Sequence, residues 1–330
     1  MTILRVHFLN VKQGDCFLIE HLSDRLTMID ICGGNLENKD IIEAQLVKFA
    51  KEVKPRGNFN MCSKPTNPID YLAEKGFSEV WRFILTHPDM DHMDGIKELF
   101  DQKKVVNFWD CGIRREKPDF EEGSPYKEKD WDFYEDLISG RVETNVIKPR
   151  AGDEGRYWNC DDDQGNGNGD YIHIASPNDK LINQANDCGD INDASYVIVY
   201  FSDAGKIIFS GDSNNKTWEY VLDKHRDLVS DAGVLFAPHH GRNSDLDFSF
   251  LDIVKPRVSF FGCAPSGYLA YSAWQNRDLL FFTNNQCGNV HIYPLSNKSF
   301  DIYIENQTYA EAFNQKETEQ IDGFWYLCNV

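Results

Sequence analysis

Apolar and polar positions alternate from the start of the chain. Residues 3–10, 15–21 and 25–31 place β-branched or aromatic side chains at every second position, interrupted by Gly14 and by Ser23-Asp24. That period predicts three strands of an antiparallel meander. The spacing then turns helical: within 38–53, Ile41, Ile42, Leu46, Phe49 and Ala50 share one face. Pro68 opens a second short helix over 68–75, residues 80–86 form a buried strand, and Ile96, Leu99 and Phe100 mark the apolar face of a helix behind it.

Residues 110–170 look different, being rich in Asp, Glu, Lys, Gly and Pro, with one helix predicted around 131–139. CDDDQGNGNGD at 160–170 spaces Asp161 and Asp163 as a calcium loop does, but no closing Glu follows, so a solvated loop is expected. The segment reads as an insertion that decorates or lids the core of a single domain spanning 1–330. From 171 strands return, over 171–177, 194–201, 206–212, 233–240, 257–263, 279–283, 289–295 and 300–306, with helices around 216–225 and up to Val254. Two successive halves, each running from strands to helices, predict an α/β protein with two packed sheets and helices outside.

Composition narrows the setting. Nine cysteines without a Cys-x-x-Cys pair or regular spacing argue for reduced thiols and a cytoplasmic protein. No stretch approaches the roughly 18 apolar residues of a membrane helix, and the N-terminus lacks a basic-then-apolar signal pattern. A net charge of −19 disfavours broad electrostatic binding of a nucleic-acid duplex, because the short basic pairs Lys103-Lys104 and Arg114-Arg115 are diluted by acids. A nucleic-acid substrate therefore needs metals and a local patch, and a small phosphorylated anion suits the charge at least as well.

The chemistry is written at 83–95, FILTHPDMDHMDG. An apolar run delivers His87, Asp89, Asp91 and His92 within six positions. Crowded, desolvated carboxylates destabilise their own loop unless a cation compensates them. Capping of the next helix by Asp91 would explain one of these side chains and leave three unexplained. Further strand ends add candidates: Asp30 in MIDICGG, Asp212 after KIIFSG, and His239-His240 after LFAP. Strand-end loops project side chains from a rigid base into a shared crevice.

The order Asp30, His87-x-Asp89-x-Asp91-His92, Asp212, His239-His240 resembles the metallo-β-lactamase superfamily. FLNVKQGDCFLIE, NDASYVIVYFSDAGKIIFSGD and APHHG resemble motifs of the hydrolase domain in bacterial competence (DNA-uptake) proteins. The resemblance implies a four-layer αββα sandwich and two divalent ions, Zn or Mn. One ion would take His87 and Asp89. The other would take Asp91, His92 and one of His239 or His240, with Asp212 bridging the two. Asp30 would orient a ligand from behind, and Asp15 would support the same loop. Asp91, His240 and Asp30 are thus the expected catalytic positions.

Asp89 stands where the family usually has a second histidine, as in phosphorylcholine esterases. Asn192 or Asp193 lies where a further histidine is usual. The expected reaction is phosphodiester cleavage by a metal-bridging hydroxide, with Arg242 and Asn243 as candidate helpers. Ester, thioester or lactone hydrolysis on the same dinuclear site is the alternative, and a non-catalytic metal-binding regulatory module a third. Partner proteins in a bacterial multi-gene system are a further expectation of the resemblance.

Overall fold

The computed structural model describes residues 4–11, 13–37, 59–161, 164 and 169–330. The helix expected over 38–53 and Asp163 lie outside the described residues.

Strands β1 (Arg5–Phe8), β2 (Phe17–Glu20) and β3 (Leu26–Ile29) form the antiparallel meander. Beside β3 the sheet turns parallel through β4 (Glu79–Leu85), β5 (Lys104–Asp110) and β6 (Asn145–Ile147). The chain then builds a second sheet: β7 (Ile172–Ser176), β8 (Val197–Ser202) and β9 (Gly205–Phe209) are antiparallel, and β10 (Val234–Phe236), β11 (Val258–Phe261) and β12 (Phe281–Thr283) continue it in parallel. Finally β13 (Val290–Pro294) returns to pair with β1, followed by β14 (Phe300–Ile304), β16 (Phe324–Asn329) and the two-residue β15 (Gln320–Ile321).

Strand alternation sorts the apolar side chains into separate cores. Phe8, Phe17, Ile19, Ile29 and Ile84 of the first sheet share a core with Ile198, Phe209, Phe236 and Phe260 of the second. Their neighbours in sequence, Leu18, Met28, Phe83 and Leu85, face the opposite way, against Leu72, Ile96, Leu99, Trp131 and Leu137 of the helices. On the far side of the second sheet Val197, Val199, Ile208 and Leu235 pack with Trp218, Val221 and Trp274. Each such side chain contributes about 1.5–3 kcal/mol when fully buried.

Several elements differ from the pattern-based reading. β5 and β6 were not anticipated, because Asn107 and Lys104 break the apolar run and β6 has only three residues. Helix Asp179–Cys188 is polar apart from Leu181, Ile182 and Ala185, and reads as loop in one dimension; Asn178 caps it by accepting from the Leu181 amide. Beyond the strand expected at 300–306, helix Gln307–Asn314 and the β15–β16 hairpin follow, which the pattern does not predict. Helix Glu128–Ile138, expected around 131–139, packs against helix Ile96–Gln102. Its Asp130 accepts from the amides of Gly95 and Lys97, satisfying donors that a helix start leaves open. Among the described residues no helix is long and apolar enough to cross a membrane.

Candidate metal centre

The site gathers at the carboxyl ends of four strands, two from each sheet. β3 ends at Ile29 and is followed by Asp30; β4 ends at Leu85 and leads to Thr86-His87. β9 leads through Ser210-Gly211 to Asp212, and β10 through Ala237-Pro238 to His239-His240. Each pair of strands is parallel, so neighbouring ends open on the same side.

Local geometry aims the side chains. After Pro88, the Asp89 carboxylate accepts from the Met90 amide at 2.8 Å and caps the single turn Met90–His92 that carries Asp91. The capping carboxylate is thus Asp89 and not Asp91. The Ile31 amide donates to the His92 carbonyl at 3.0 Å, and the His239 amide donates to the Gly211 carbonyl at 2.9 Å, tying loops from adjacent strands together. Asp30, His239 and His240 all have left-handed backbones, with φ of 57°, 51° and 57°. Such conformations cost roughly 1–3 kcal/mol each and persist where surroundings over-determine them. Gly211 (φ 47°) has no room for a side chain, since a Cβ there would lie 2.4 Å from Ser195 Oγ.

Five side chains converge. His92 Nε2 lies 3.2 Å from Asp212 Oδ1 and 3.9 Å from Asp91 Oδ1. His240 Nε2 lies 3.5 Å from Asp91 Oδ2 and 3.6 Å from Asp212 Oδ1. His87 Nε2 is 3.9 Å from Asp212 Oδ2. The three Nε2 atoms and Asp212 Oδ1 are buried and carry no hydrogen bond. Leaving such atoms unsatisfied costs about 1–3 kcal/mol apiece, and a cation among them removes that cost. Of the two adjacent histidines, His240 is the fully buried ring that meets Asp91. His239 is partly exposed at the rim, with Nε2 3.5 Å from Asp212 Oδ2 and Nδ1 3.1 Å from Ser244 Oγ.

A carboxylate backs each central imidazole. Asp30 accepts from the Thr86 amide and hydroxyl, both at 2.7 Å, and from His92 Nδ1 at 2.8 Å. Asp15 Oδ1 stands 3.2 Å from His240 Nδ1. Burial disfavours a charged ring at both histidines, yet the surrounding carboxylates outweigh it. His240 is pushed up to about 10 by Asp212, Asp15 and Asp91, and His92 well above its ordinary value by Asp212, Asp30 and Asp91. His87 goes the other way, down to about 4, through burial and the neighbouring His92. Asp212 and Asp91 are held well below the usual carboxylate range despite burial, by the imidazoles around them. The cluster has an excess of negative charge and draws positive charge.

Asp89 and the 192–193 region behave differently. Among the described residues, donor atoms within 4.8 Å of one another form three triads, His87–His92–Asp212, Asp91–His92–His240 and Asp15–Asp212–His240, and Asp89 joins none of them. Its carboxylate lies 2.6 Å from Arg115 Nη1. Asp193 turns to Lys216 Nζ at 2.5 Å. Sequence reasoning overlooked Arg115, whose only signal was its place in a short basic pair, and Thr86, which none predicted. A cleft of about 300 Å³ adjoins the centre, lined among others by Gln13, Arg242, Cys263 and Tyr271. Its wall includes Gly262, whose Cβ would lie 2.8 Å from Asp15 Oδ1 and 3.1 Å from His240 Cβ. Arg242 Nε is buried there without a hydrogen bond.

No protein-family model matches the sequence, and no curated protein matches it. Solved structures overlap it loosely. Igni18, a metallo hydrolase of the hyperthermophilic archaeon Ignicoccus hospitalis, aligns with TM-score 0.41 and 12% identity over 84% of this chain and 94% of its own. Tm1679, a metal-dependent hydrolase of the β-lactamase superfamily, aligns with TM-score 0.47 and 11% identity over 85% and 95%. A diphosphatase from the PhnP family aligns with TM-score 0.39 and 9% identity over 78% and 86%. At TM-scores below 0.5 such likeness assigns neither family nor reaction to this chain.

Proposed function

We propose that this chain is a divalent-metal hydrolase of the metallo-β-lactamase type, a four-layer αββα sandwich folded as a single domain. Its substrate would be a phosphodiester, in a nucleic acid or a smaller phosphorylated molecule. The observation that carries the reading is the convergence of three buried, unbonded imidazole nitrogens on Asp212, with Asp91 closing the set. Mixed imidazole and carboxylate donors suit Zn²⁺ or Mn²⁺. Asp91, His92, His240 and Asp212 would hold the ion. A divalent ion there supplies Lewis acidity, making water a nucleophile at neutral pH and offsetting charge that gathers on phosphoryl oxygens.

The remaining roles belong to the chain. Asp30 keeps the His92 ring aimed by accepting from its Nδ1, and Asp15 stands behind His240 with Oδ1 3.2 Å from Nδ1. His239, at the rim and steadied by Ser244, is placed to give a proton to the leaving oxygen. Arg242, with Nε unsatisfied in the adjoining cleft, is suited to an anionic group of the substrate. All nine cysteines are free thiols, which fits work in the reducing cytoplasm.

Assays with bis-p-nitrophenyl phosphate, a lactone and single-stranded DNA, each with Mn²⁺ and Zn²⁺, test the reading. Phosphodiester turnover is expected, abolished by chelation and by Asp91→Ala, with the circular dichroism spectrum of the variant unchanged. Faster lactone turnover would move the assignment to ester chemistry. Bound metal without any turnover would leave a regulatory module. Full activity in Asp91→Ala would end the proposal.

A further inference from the structure

The family resemblance implies two ions that share Asp212, but the donors of this chain are unequally divided. Four-coordinate metal bonds of about 2.0–2.2 Å set neighbouring donors roughly 3.3–3.6 Å apart. The contacts among His92, His240, Asp91 and Asp212, at 3.2, 3.5, 3.6 and 3.9 Å, lie within a few tenths of an ångström of that spacing, with Asp91 meeting the two rings through different oxygens. The other half is poor. His87 Nε2 and the rim residue His239 face Asp212 Oδ2 at 3.9 and 3.5 Å, but the two carboxylates nearest in sequence to the missing donors are engaged by cations, Asp89 by Arg115 and Asp193 by Lys216. Arg115 also donates to the Pro88 carbonyl at 3.3 Å, so its guanidinium lies over the turn that immediately follows His87.

We propose that the resident metal is a single ion held by Asp91, His92, His240 and Asp212, and that Arg115 supplies the second positive charge, receiving the substrate phosphate. This rests on the hydrolase reading above. A guanidinium presents paired donors that match a phosphate edge, and it needs no further protein ligands to sit beside His87. Arg115 and Asp89 are 30% and 37% exposed. A pair this open to water is weak and exchangeable, so an arriving phosphate can draw Arg115 away from Asp89 without breaking a buried interaction. Asp89 then serves to park the arginine in the resting state as well as to cap the turn carrying Asp91. The arrangement gives a chain with net charge −19 two local cations for an anion, Arg115 over the turn after His87 and Arg242 in the adjoining cleft.

Two measurements on the whole chain test this. Protein equilibrated with excess Mn²⁺ and desalted is analysed for metal by mass spectrometry. One ion per chain is expected in the wild type and in Asp89→Asn, and none in Asp91→Asn. Calorimetry with orthophosphate on the Mn²⁺-loaded protein is expected to show at least tenfold weaker binding in Arg115→Ala, partly restored in Arg115→Lys. Two ions in the wild type, falling to one in Asp89→Asn, overturn the single-ion centre. Equal phosphate affinity in Arg115→Ala and wild type overturns the role of the arginine. Each of those results leaves the hydrolase reading standing, whereas a wild type that retains no ion removes the hydrolase reading itself and this inference with it.

Discussion

His92 donates from Nδ1 to Oδ2 of Asp30 at 2.8 Å, and neither residue is exposed to solvent. The contact joins the loops after two adjacent parallel strands, β3 and β4. It holds a proton on Nδ1 and leaves Nε2 turned toward Asp91 and Asp212, where a metal ion would displace the second proton and take the lone pair.

Asp30→Asn keeps the shape of the side chain and removes its charge. Binding of Mn²⁺ or Zn²⁺ is expected to weaken about 10- to 100-fold, as for other carboxylates behind ligating histidines. Competition against a chromophoric chelator measures this, with circular dichroism to show that the fold persists. Unaltered affinity would mean that packing alone orients His92.

Gly14 touches the centre from outside. Its φ is 68°, and an added Cβ would lie 1.7 Å from the Asp91 carbonyl oxygen. In Gly14→Ala the loop must retreat and carry Asp15 away from His240. Urea unfolding is expected to show a loss above about 1 kcal/mol, the scale for alanine at a positive φ alone, together with weaker metal binding. A variant as stable as the wild type would contradict this close approach.

Acid sensitivity follows from two histidines far from the centre. Burial is the main reason that His7 titrates down at about 4 and His21 at about 3. Tyr71 donates to His7 Nδ1 at 2.7 Å, and Nε2 donates to Glu20 at the same distance. Unfolded imidazole titrates near 6.5. The folded values lie below the unfolded one, so the stability is present above about pH 6.5 and is lost as pH falls toward 4, where the unfolded chain takes up protons that the folded chain refuses. The urea midpoint of metal-free protein is expected to drop between pH 7 and pH 5, and the slope to flatten in His7→Gln. A midpoint independent of pH over that interval would refute the assignment.

Among the described residues, Arg82 is a buried cation with one buried counter-charge, Asp170. It is 2% exposed and donates to Asp170 Oδ2 at 3.2 Å, Thr27 Oγ1 at 2.7 Å and the Tyr157 carbonyl at 2.7 Å. Asp170→Ala strands the guanidinium and also frees Ser23 and Arg25, which share the carboxylate. Breaking one partner of a buried pair costs about 3–5 kcal/mol, and chemical denaturation should register a loss of that size. A change below about 1 kcal/mol, the ceiling for exposed pairs, would show that water compensates Arg82.

The linear order of side chains was enough to locate most strands, the turn 87–92 and the strand-end positions of Asp30, Asp212 and His239-His240. Those features are local: a period of two, a tight Gly turn and ligand spacing are all expressed within a few residues. Polar helices such as Asp179–Cys188 and the short edge strand β6 escaped, because their stability comes from what they pack on and not from a periodic face of their own.

Folding settled what spacing leaves open. His240 and not His239 turns inward to Asp91, Asp15 backs it, and Asp89 leaves the donor cluster for Arg115, a residue 26 positions away. Adjacent histidines are equivalent in a string of letters, and an arginine in a loop carries no sign of which carboxylate it will meet. Those choices depend on the left-handed backbone at 239–240 and on the path of the loop after β5. They are long-range contacts, and they exist only when both sheets have brought their strand ends together.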